Sequence, residues 1–561
     1  MKKRNSGKSS ISPNELAQET AIGIMRIIAV FLMLWTLALS FWLYIYSVRH
    51  GGTPCWDGFE RCAWASHIWY DIRHFDLYHL WKHVNAQMVW PPLHSLITGL
   101  AFVGLGPSLA TARLLSVAAF WGSGALMVYW FARRQDWPSC LGAAAAWCLF
   151  TTSPIVVQQA VGIMSEGIGF FITLLILVTL PSSNEADKKR WGWSGFGLAL
   201  FFLYKYNYAF LTYAGLLISR YFQAGVSLRK MANKNNILLF GIPILVLVVW
   251  FIPDFQNKWD NLVYFAVNNP SAHQPWNFST LFYYPQVIPR AFFTMPWISV
   301  LCLALVFIAS PLSKRISLHN PVVACCIVHF VAVAIHPMKM ERFQFITMGL
   351  FFMITGEAAR TLSSHLFLHW GSRNPRMHPF KSAVLVSLTL LILAPAIAFQ
   401  CDIYRREQLP QQNVYRAPVA TVLDRLYEKD RAALLITHDQ ASPPAATFYF
   451  ITGLDVLQRD VRKNVTHWNH IFLFQSKDDV LALSEEERLR RLEYELYINR
   501  SNKIVVIEST APWTIGVYPT VFAGVEEYIK LIPKIPNYQL MFEREFSRSN
   551  IKVRIYQYNP A

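Results

Sequence analysis

The chain has 561 residues, of which 54% are hydrophobic and 15% are charged, and its formal net charge is +17. A soluble domain has about 25% charged residues, so this composition excludes an ordinary soluble enzyme and indicates a polytopic membrane protein. The basic residues lie mostly in short loops between apolar runs. That distribution favours membrane orientation and phospholipid contact and argues against nucleic-acid binding.

The N-terminal residues 1–21 form a basic, polar tail. The apolar run after it, Ile22 to Val48, is too long for a signal-peptide core and lacks a clear small-residue cleavage site, so we expect it to remain as the first span. Further apolar runs predict about eleven spans in all. These are 22–48, 109–132, 139–153, 167–181, 193–204, 206–222, 236–252, 291–310, 320–335, 343–359 and 383–400; the stretch 193–222 could instead be a tight hairpin of two short helices.

Basic clusters alternate with these spans. They occur at 2–8, 133–134, 188–190, 220–234, 314–315 and 373–381, and all fall on one side if each run crosses once. The positive-inside rule then places the N-terminal tail in the cytoplasm and residues 401–561 outside. A crossing by residues 92–106 would move every later cluster to the other side. We therefore expect this segment to lie on or dip into the outer leaflet, started as a short helix by the break at Pro91 and Pro92.

This predicted topology places several charged residues on the outer side. The acids are Asp57, Glu60, Asp71, Asp76 and Glu166, and the basic residues are Lys205, Arg290, His336, Lys339 and Arg342. Charged groups at the ends of apolar helices are costly unless they are paired or functional. These positions are therefore the first place to look for a site.

Several motifs around these residues resemble the GT-C glycosyltransferases, especially the group of protein O-mannosyltransferases and lipid A aminoarabinose transferases. "WDGFERCAWA", "WPPLHSLITGLAFVGLG" and "ATARLLSVAAFWGSGALMVYWFARR" resemble the first external loop and second span of that group. "SPIVVQQAVGIMSEGIGFF" resembles its second external loop, "FFLYKYNYAFL" its Lys-containing turn, and "HPMKMERFQFITMGLFF" its Lys-x-x-Arg-Tyr segment. The likeness covers roughly residues 20–360. Three positions depart from the group's pattern: Gly58 follows the first acid, Trp90 replaces the Lys before Pro-Pro, and Phe343 replaces the Tyr.

The resemblance implies a polytopic α-helical membrane domain over residues 22–400, with a catalytic acid in its first external loop, 49–108. The chemistry supports this interpretation independently. Nucleotide sugars are cytoplasmic and the sequence has no Walker A or Gly-rich dinucleotide motif, so an external transferase needs a sugar carried on a polyprenyl phosphate. It also needs a base for the acceptor proton and cations for the departing phosphate.

Asp57 is the candidate general base, with a solvated loop aspartate as the alternative. Glu60 lies one turn from Asp57 if the segment is helical, so it could replace Asp57 as the base or act as a second acid of the site. Glu166 begins an otherwise apolar helix and could bind donor or acceptor, although an acid there also suits the positive end of the helix. These three residues form the predicted catalytic set.

Lys205, Lys339, Arg342 and Arg290 are the candidate phosphate and lipid ligands, because Arg in particular makes two-point contacts with phosphate. The alternative is that these side chains reach to lipid headgroups at the interface. Pro91, Pro92, His94 and Arg113 are expected to shape the first loop. We expect no required cofactor or metal, although two outer acids could bind a divalent cation.

Residues 401–561 have a different composition and are predicted to form an extracytoplasmic α/β domain. "RAALLITHD", "NHIFLFQ" and "NKIVVIES" indicate buried strands, "SEEERLRRLEYELYINR" a helix with a capping box at Ser484 and Glu487, and residues 538–560 a terminal hairpin. We interpret "SKDD" as a surface turn. A disulfide between Cys55 and Cys62 is conceivable only if that stretch is not helical.

The sequence thus predicts a multi-pass glycosyltransferase of a bacterial inner membrane, which uses a polyprenyl-phosphate sugar and an extracytoplasmic acceptor: a glycolipid, an envelope glycan or a protein. The main alternative is a lipid or polysaccharide transporter or flippase. Charged groups inside spans and paired inverted repeats are expected of a transporter, and neither is visible here. A non-catalytic membrane scaffold is a third interpretation.

Overall fold

The computed structural model describes residues 13–50, 56–85, 87, 91–163, 165–181, 188–263, 278–336, 341–369 and 378–407 of the apolar part. In the C-terminal part it describes 430–436, 467–470, 477–509, 524–547 and 551–560, with five isolated positions between 418 and 426. The first part is almost entirely helical. The second contains a sheet with short helices.

Eighteen α-helices occur in the described residues before position 408. They are α1 Pro13–His50, α2 Trp56–Arg73, α3 Leu77–Asn85, α4 Leu93–Leu105, α5 Leu109–Ala132, α6 Trp137–Thr152, α7 Pro154–Val161, α8 Ser165–Thr179, α9 Lys188–Tyr204, α10 Tyr206–Gln223, α11 Leu228–Met231, α12 Lys234–Phe251, α13 Phe255–Val263, α14 Phe278–Ala291, α15 Pro296–Ala309, α16 Pro321–Ile335, α17 Phe345–His369 and α18 His378–Glu407. Short 3₁₀ turns occur at Ile252–Asp254, Ser310–Leu312 and Glu341–Gln344.

Every predicted span coincides largely with one of these helices, and 193–222 forms the two helices α9 and α10. By length and composition, three segments suffice to cross a membrane: Ile22–Arg49, Leu109–Ala132 and Lys234–Asp254. Two bent pairs, α6 with α7 and α14 with α15, raise that number to five. The total of eleven crossings stays a prediction.

The segment after α6, which resembles the second external loop of the GT-C group, begins with a helix. Residues Pro154–Val161 form the helix α7, which is bent by 65° from α6. Pro154 explains the break, because its ring supplies no N–H to continue α6 while its fixed φ suits the first turn of a new helix. The non-helical part of this predicted loop is therefore limited to the residues between α7 and α8.

The helices α6 and α17 pack closely because glycines face each other at their crossing. A Cβ atom at Gly142 would lie 2.8 Å from the carbonyl oxygen of Gly356. Small residues at such a crossing allow the two backbones to approach, as is usual in membrane bundles. Around this contact the apolar side chains of α1, α5, α6, α8 and α17 form one continuous core.

Buried hydrogen bonds hold α1 and α18 to this core. The indole of Trp147 on α6 donates to Thr36 Oγ1 on α1 at 2.7 Å. Trp35, also on α1, donates to Gln400 Oε1 on α18 at 2.8 Å, and Gln400 donates in turn to Thr151 Oγ1 on α6 at 2.7 Å. Each polar group thus has a partner, which is what burial among apolar helices requires.

One end of the helix bundle carries an ion-pair network centred on Glu357 of α17. Its carboxylate pairs with Arg134, with Arg360 at 3.2 Å and with Arg315 at 3.8 Å. Arg134 and Arg315 belong to two different predicted basic clusters, and the network brings both to the same end. That arrangement agrees with the proposed alternation of clusters and spans.

The described residues of the predicted first external loop are mostly helical. The helix α4 begins directly after Pro92, as the proline pair predicted, and it packs against α2. A Cβ atom at Gly99 would lie 2.7 Å from Ile68, so a larger residue at position 99 would push these helices apart. Cys62 is a buried free thiol within α2, whereas Cys55 lies outside the described residues.

A five-stranded sheet forms the centre of the C-terminal part. Its strands are β1 Arg431–Ile436, β2 His467–His470, β3 Lys503–Ser509, β4 Tyr538–Phe546 and β5 Ile551–Tyr558, in the order β2-β1-β3-β5-β4. The strand β1 pairs in parallel with β2 and β3, and β5 pairs antiparallel with β3 and β4. The first and third predicted strands and the hairpin are confirmed. The second predicted strand, 469–475, overlaps β2 at 469–470, and its other residues lie outside the description.

Three helices, α19 Lys477–Leu481, α20 Glu485–Ile498 and α21 Gly524–Ile529, accompany this sheet. The predicted capping box is confirmed: Ser484 Oγ accepts from the Glu487 amide at 3.2 Å, and Glu487 Oε2 accepts from the Ser484 amide at 2.9 Å. The prediction for "SKDD" was wrong, because Lys477 begins α19. Asp478 and Asp479 lie in the first turn of this helix, where negative charge stabilises the positive end of the helix dipole. The prediction of a turn did not take this effect into account.

Candidate functional site

The site is built where α9 gives way to α10. Lys205 has an extended backbone, with φ −160° and ψ 94°, and it is the single non-helical residue between the two helices. This break turns its side chain into the protein, where it is 3% exposed. Its ammonium donates to Ser165 Oγ at 2.6 Å and to Glu166 Oε1 at 3.0 Å.

Glu166 is fully buried in the first turn of α8. Besides Lys205, the hydroxyl of Tyr208 donates to its Oε1 atom at 3.3 Å. The ring of Tyr208 also lies below the Lys205 ammonium, which is 4.3 Å from the ring centroid. Tyr204, on the other side of the break, donates to the Ser165 carbonyl at 3.3 Å. The carboxylate is therefore held in a fixed position.

The structure brings together two residues that the sequence analysis treated separately. The alternative for Lys205, a side chain reaching to lipid headgroups, is wrong, because its ammonium is buried in an ion pair. The alternative for Glu166, a simple acid at a helix start, accounts for only part of its environment. Its main partner comes from another helix.

Arg61 is a member of this cluster that the sequence analysis missed. It lies on α2, is 2% exposed and lies beside Tyr204, and its charge acts on Glu166. The available signal was its spacing, since Arg61 follows Asp57 by four residues and shares one helix face with it. An arginine within a loop of mixed polarity gave no indication that it would be buried.

His94 and Arg342 complete the cluster. His94 of α4 is buried with its ring centroid 5.6 Å from that of Tyr204, and its Nδ1 atom has no hydrogen-bond partner in the described part of the chain. Arg342 lies in the 3₁₀ turn before α17, with its guanidinium 5.7 Å from the Phe343 ring centroid. The charge of Arg342 acts on both Glu166 and Tyr208.

Arg290, Arg113 and Lys339 are the remaining predicted basic residues. The exposed side chain of Arg290 is in the last turn of α14. Arg113 donates to the Ser47 carbonyl at 2.6 Å and so ties the start of α5 to the end of α1, which supports its predicted architectural role. Lys339 lies outside the described residues.

Asp57 and Glu60 fall on the described backbone of α2, but their side chains lie outside the description. Asp57 precedes Arg61 by one helical turn, a rise of about 6 Å. Because Arg61 reaches the Glu166 cluster, the backbone of α2 places Asp57 within about one helical turn of a member of that cluster. The predicted role of Asp57 is not tested by this geometry.

The described members of the cluster carry three cationic side chains, those of Arg61, Lys205 and Arg342, around the one carboxylate of Glu166. Guanidinium groups bind phosphate through two parallel hydrogen bonds, and in surroundings of low polarity such contacts are stronger than in water. The cluster is thus chemically suited to an anionic ligand with polar substituents.

The overall fold matches known structures even though the sequence does not match known families. No family model matches the chain, and no curated protein matches it. Two crystal structures of ArnT from Cupriavidus metallidurans align with it at a TM-score of 0.57. The one with bound undecaprenyl phosphate is 10% identical and the apo structure 12%; the alignments cover 94% and 95% of this chain and 99% and 100% of ArnT.

The chain has an ArnT-like fold. ArnT is a GT-C lipid A aminoarabinose transferase. The family resemblance seen in the motifs is therefore confirmed at the level of the fold, over most of the chain. Identity this low carries no residue-level role from ArnT to this protein.

A second polar group joins the helices α2 and α3 of the predicted first external loop. Asp71 Oδ2 of α2 lies 2.6 Å from His83 Nδ1 of α3, and the His83 ring is 4.8 Å from that of His67. Burial raises the pKa of Asp71, an effect that His83 opposes. Burial, followed by the charge of His83, lowers the pKa of His67 to about 4.

These side chains join α2 to α3. No group of three His, Cys, Asp or Glu residues suited to a metal ion occurs among the described residues. We therefore assign the Asp71–His83 pair a structural role in the loop. The expectation that no metal is required stays a prediction.

Proposed function

We propose that the chain is a membrane glycosyltransferase that moves a sugar from a polyprenyl-phosphate donor to an acceptor on the extracytoplasmic side. The observation that carries the proposal is the buried Glu166–Lys205 pair flanked by Arg61 and Arg342 within an ArnT-like fold. The ArnT crystal structure with undecaprenyl phosphate supports a lipid of that class.

Within the cluster, the arginines are better suited than Lys205 to hold the donor phosphate. Two of the three N–H bonds of Lys205 already point to Ser165 and Glu166. Arg342 lies on a short 3₁₀ turn and is partly exposed, so it can meet a headgroup that enters from the lipid. Lys205 instead fixes the carboxylate, and Arg342 and Arg61 stabilise the phosphate.

Asp57 is the general base in this proposal. The acceptor oxygen or nitrogen attacks C1 of the sugar, the bond between C1 and the phosphate oxygen breaks, and the acceptor proton passes to Asp57. The polyprenyl phosphate leaves with its negative charge facing the arginines. Glu166 suits this role less, because Lys205 and Tyr208 both donate to it.

The proposed location follows from the charge distribution. We place the N-terminal tail in the cytoplasm of a bacterial cell, the spans in the inner membrane, and residues 401–561 outside. The C-terminal sheet would then lie on the side where the acceptor is found, and we assign it a part in acceptor recognition.

Lipid analysis and a transfer assay test this function. The purified protein should contain a polyprenyl phosphate or its glycosylated form, detected by mass spectrometry after solvent extraction. In liposomes, a glycosylated polyprenyl phosphate should be converted to the free phosphate together with a glycosylated acceptor. Movement of intact sugar-lipid between leaflets without release of the phosphate would support the flippase alternative instead.

A further inference from the structure

A second set of buried polar side chains lies next to Tyr208, on the side away from Lys205. His329 of α16 is fully buried, with its ring centroid 6.1 Å from that of Tyr208. Its Nε2 atom lies 3.0 Å from Thr212 Oγ1 of α10. Its Nδ1 atom has no hydrogen-bond partner among the residues that the structure describes.

Two residues at the start of the neighbouring helix share this property. Gln344 is 0% exposed and Thr347 is 3% exposed. Both amide atoms of Gln344 and the hydroxyl of Thr347 are buried without a partner in the described part of the chain. Together with His329 Nδ1, four polar atoms are left unsatisfied.

Helix register places these atoms at one level. Cys326 of α16 lies against Thr347 of α17, with Sγ 3.5 Å from the Thr347 carbonyl oxygen. His329 follows Cys326 by one turn of α16 and Gln344 precedes Thr347 by three residues, so both lie on the side of the Cys326–Thr347 contact where the chain passes from α16 to α17. The three residues therefore lie at neighbouring levels of the adjacent helices α16 and α17.

The large majority of buried polar side-chain atoms in proteins are hydrogen-bonded. The four unsatisfied atoms of His329, Gln344 and Thr347 are therefore suited to bind a ligand. The amide and the hydroxyl offer both donors and acceptors, and none of the three side chains needs to be charged. A sugar hydroxyl, which both donates and accepts, matches this chemistry. A phosphate or an ammonium group would be matched by charges of the opposite sign.

We propose that His329, Gln344 and Thr347 form a subsite for hydroxyl groups of the transferred sugar. This inference rests on the proposed function, since it assumes that the donor phosphate lies at the nearby arginines. Tyr208 separates the subsite from Glu166, and Arg342, two residues before Gln344, adjoins it. On this assignment the sugar lies between the phosphate at Arg342 and the polar atoms of His329, Gln344 and Thr347.

The variants Gln344→Met and Thr347→Val test the subsite, since each keeps the shape and removes the polar atoms. We expect them to weaken binding of undecaprenyl-phosphate hexoses and pentoses by ~10-fold or more, the effect of losing a hydrogen bond to a buried group. Binding of undecaprenyl phosphate alone should stay at the wild-type level. The melting temperature of the lipid-free variants should rise, because an unsatisfied buried group has been removed.

Thr361→Val is the matched control. Its hydroxyl is also buried without a partner in the described structure, but it lies fourteen residues further along α17, about 21 Å away. It should raise the melting temperature without changing lipid binding. Equal losses for the sugar-bearing and sugar-free lipids, or no loss for either, would overturn the subsite and leave an ordered water as its occupant. Failure of the wild-type protein to bind any of these lipids would instead count against the proposed function.

Discussion

The Nζ atom of Lys205 lies 3.0 Å from Oε1 of Glu166, and the two side chains are 3% and 0% exposed. This pair joins the first turn of α8 to the break between α9 and α10. Removing two charges from water is costly, and their attraction offsets that cost only while both are present. The break in the helix and the pair therefore depend on each other.

Neutralising one partner should destabilise the protein strongly. Glu166→Gln or Lys205→Met leaves an uncompensated buried charge, so we expect a loss of about 3–5 kcal/mol in the free energy of unfolding. The double variant should recover much of that stability while staying inactive. Thermal unfolding in detergent, combined with a transfer assay, measures both effects.

The exposed pair Glu486–Arg490, with an N–O distance of 2.7 Å, is the control for this comparison. Neutralising Arg490 should cost at most about 1 kcal/mol, because solvent screens an exposed pair. Similar losses at the two pairs would show that Glu166 and Lys205 are not energetically buried.

The sequence predicted the helices better than it predicted the cluster. Each span could be found because a membrane helix needs a run of consecutive apolar residues, a property of local sequence. The contact between Glu166 and Lys205 joins residues 39 positions apart, and it forms only because α8 packs against α9. A resemblance to GT-C enzymes indicated both residues but gave no sign that they are partners.

Helical spacing and burial explain the other misses. Arg61 could have been grouped with Asp57 from the i, i+4 relation, but only tertiary packing shows that it is buried. The helix α7 was missed because its residues follow a proline, which ends α6 and equally well starts a new helix. Gln344 and Thr347 lie in an apolar run, where single polar residues carry no local signal.

Arginine substitutions should distinguish donor binding at the Glu166 cluster from contacts between surface arginines and lipid headgroups. Arg342→Ala should weaken use of the polyprenyl-phosphate donor by roughly tenfold or more, and Arg342→Lys should restore only part of it, because Lys cannot make the planar two-point contact. Arg290→Ala, at an exposed position of α14, is the control and should have little effect. Donor kinetics measured as apparent KM and kcat distinguish the variants. Equal effects at both positions would indicate general contacts with lipid headgroups.

Cysteine labelling tests whether residues 92–106 stay on the outer side. Ser108→Cys and His79→Cys should both react with an impermeant thiol reagent added outside, and Lys314→Cys should be protected. The six cysteines that the structure describes are buried, so the background needs to lack only Cys55 and Cys401. Protection of Ser108→Cys together with reaction of His79→Cys would contradict the threading.

The first external loop should lose stability at acidic pH through His67. Its pKa is lowered to about 4 in the folded chain, so between that value and its ordinary 6.5 the unfolded state binds more protons. The contribution of neutral His67 to the free energy of unfolding is therefore complete above pH 6.5 and is lost as the pH falls towards 4. The full effect is at most about 3 kcal/mol, because the side chain keeps some access to water.

His67→Gln should flatten this dependence, measured by hydrogen exchange of α2 and α3 between pH 7.5 and 5. Asp71 acts in the opposite direction, since its raised pKa gives a contribution that is lost as the pH rises. Asp71→Asn is therefore measured alongside. An unchanged pH slope in His67→Gln would mean that the histidine titrates alike in the folded and unfolded states.

Asp57 provides the most direct test of the proposed chemistry. Asp57→Asn keeps the size and much of the hydrogen-bonding capacity of the side chain but removes its basicity. General-base assistance typically contributes ~10²–10⁴-fold, so turnover should fall by about that factor while protein level and binding of undecaprenyl phosphate persist. Asp76→Asn, an acid of the same loop that pairs with His79 at 2.9 Å, should keep wild-type turnover.

A second test of the base uses Arg61, which lies on the same helix as Asp57. Arg61 joins α2 to the Glu166 cluster one turn after Asp57 and is also a proposed phosphate contact. Arg61→Met should therefore lower turnover both by displacing the base and by weakening that contact, and Arg61→Lys should restore part of it. An external base such as azide or formate should then raise the turnover of Asp57→Asn more than that of Arg61→Met. In Asp57→Asn the proton acceptor is the only group missing, and a small base can replace it. If Asp57→Asn keeps most of its turnover, the base is elsewhere, and Glu60→Gln and Glu166→Gln become the variants that decide between the remaining acids.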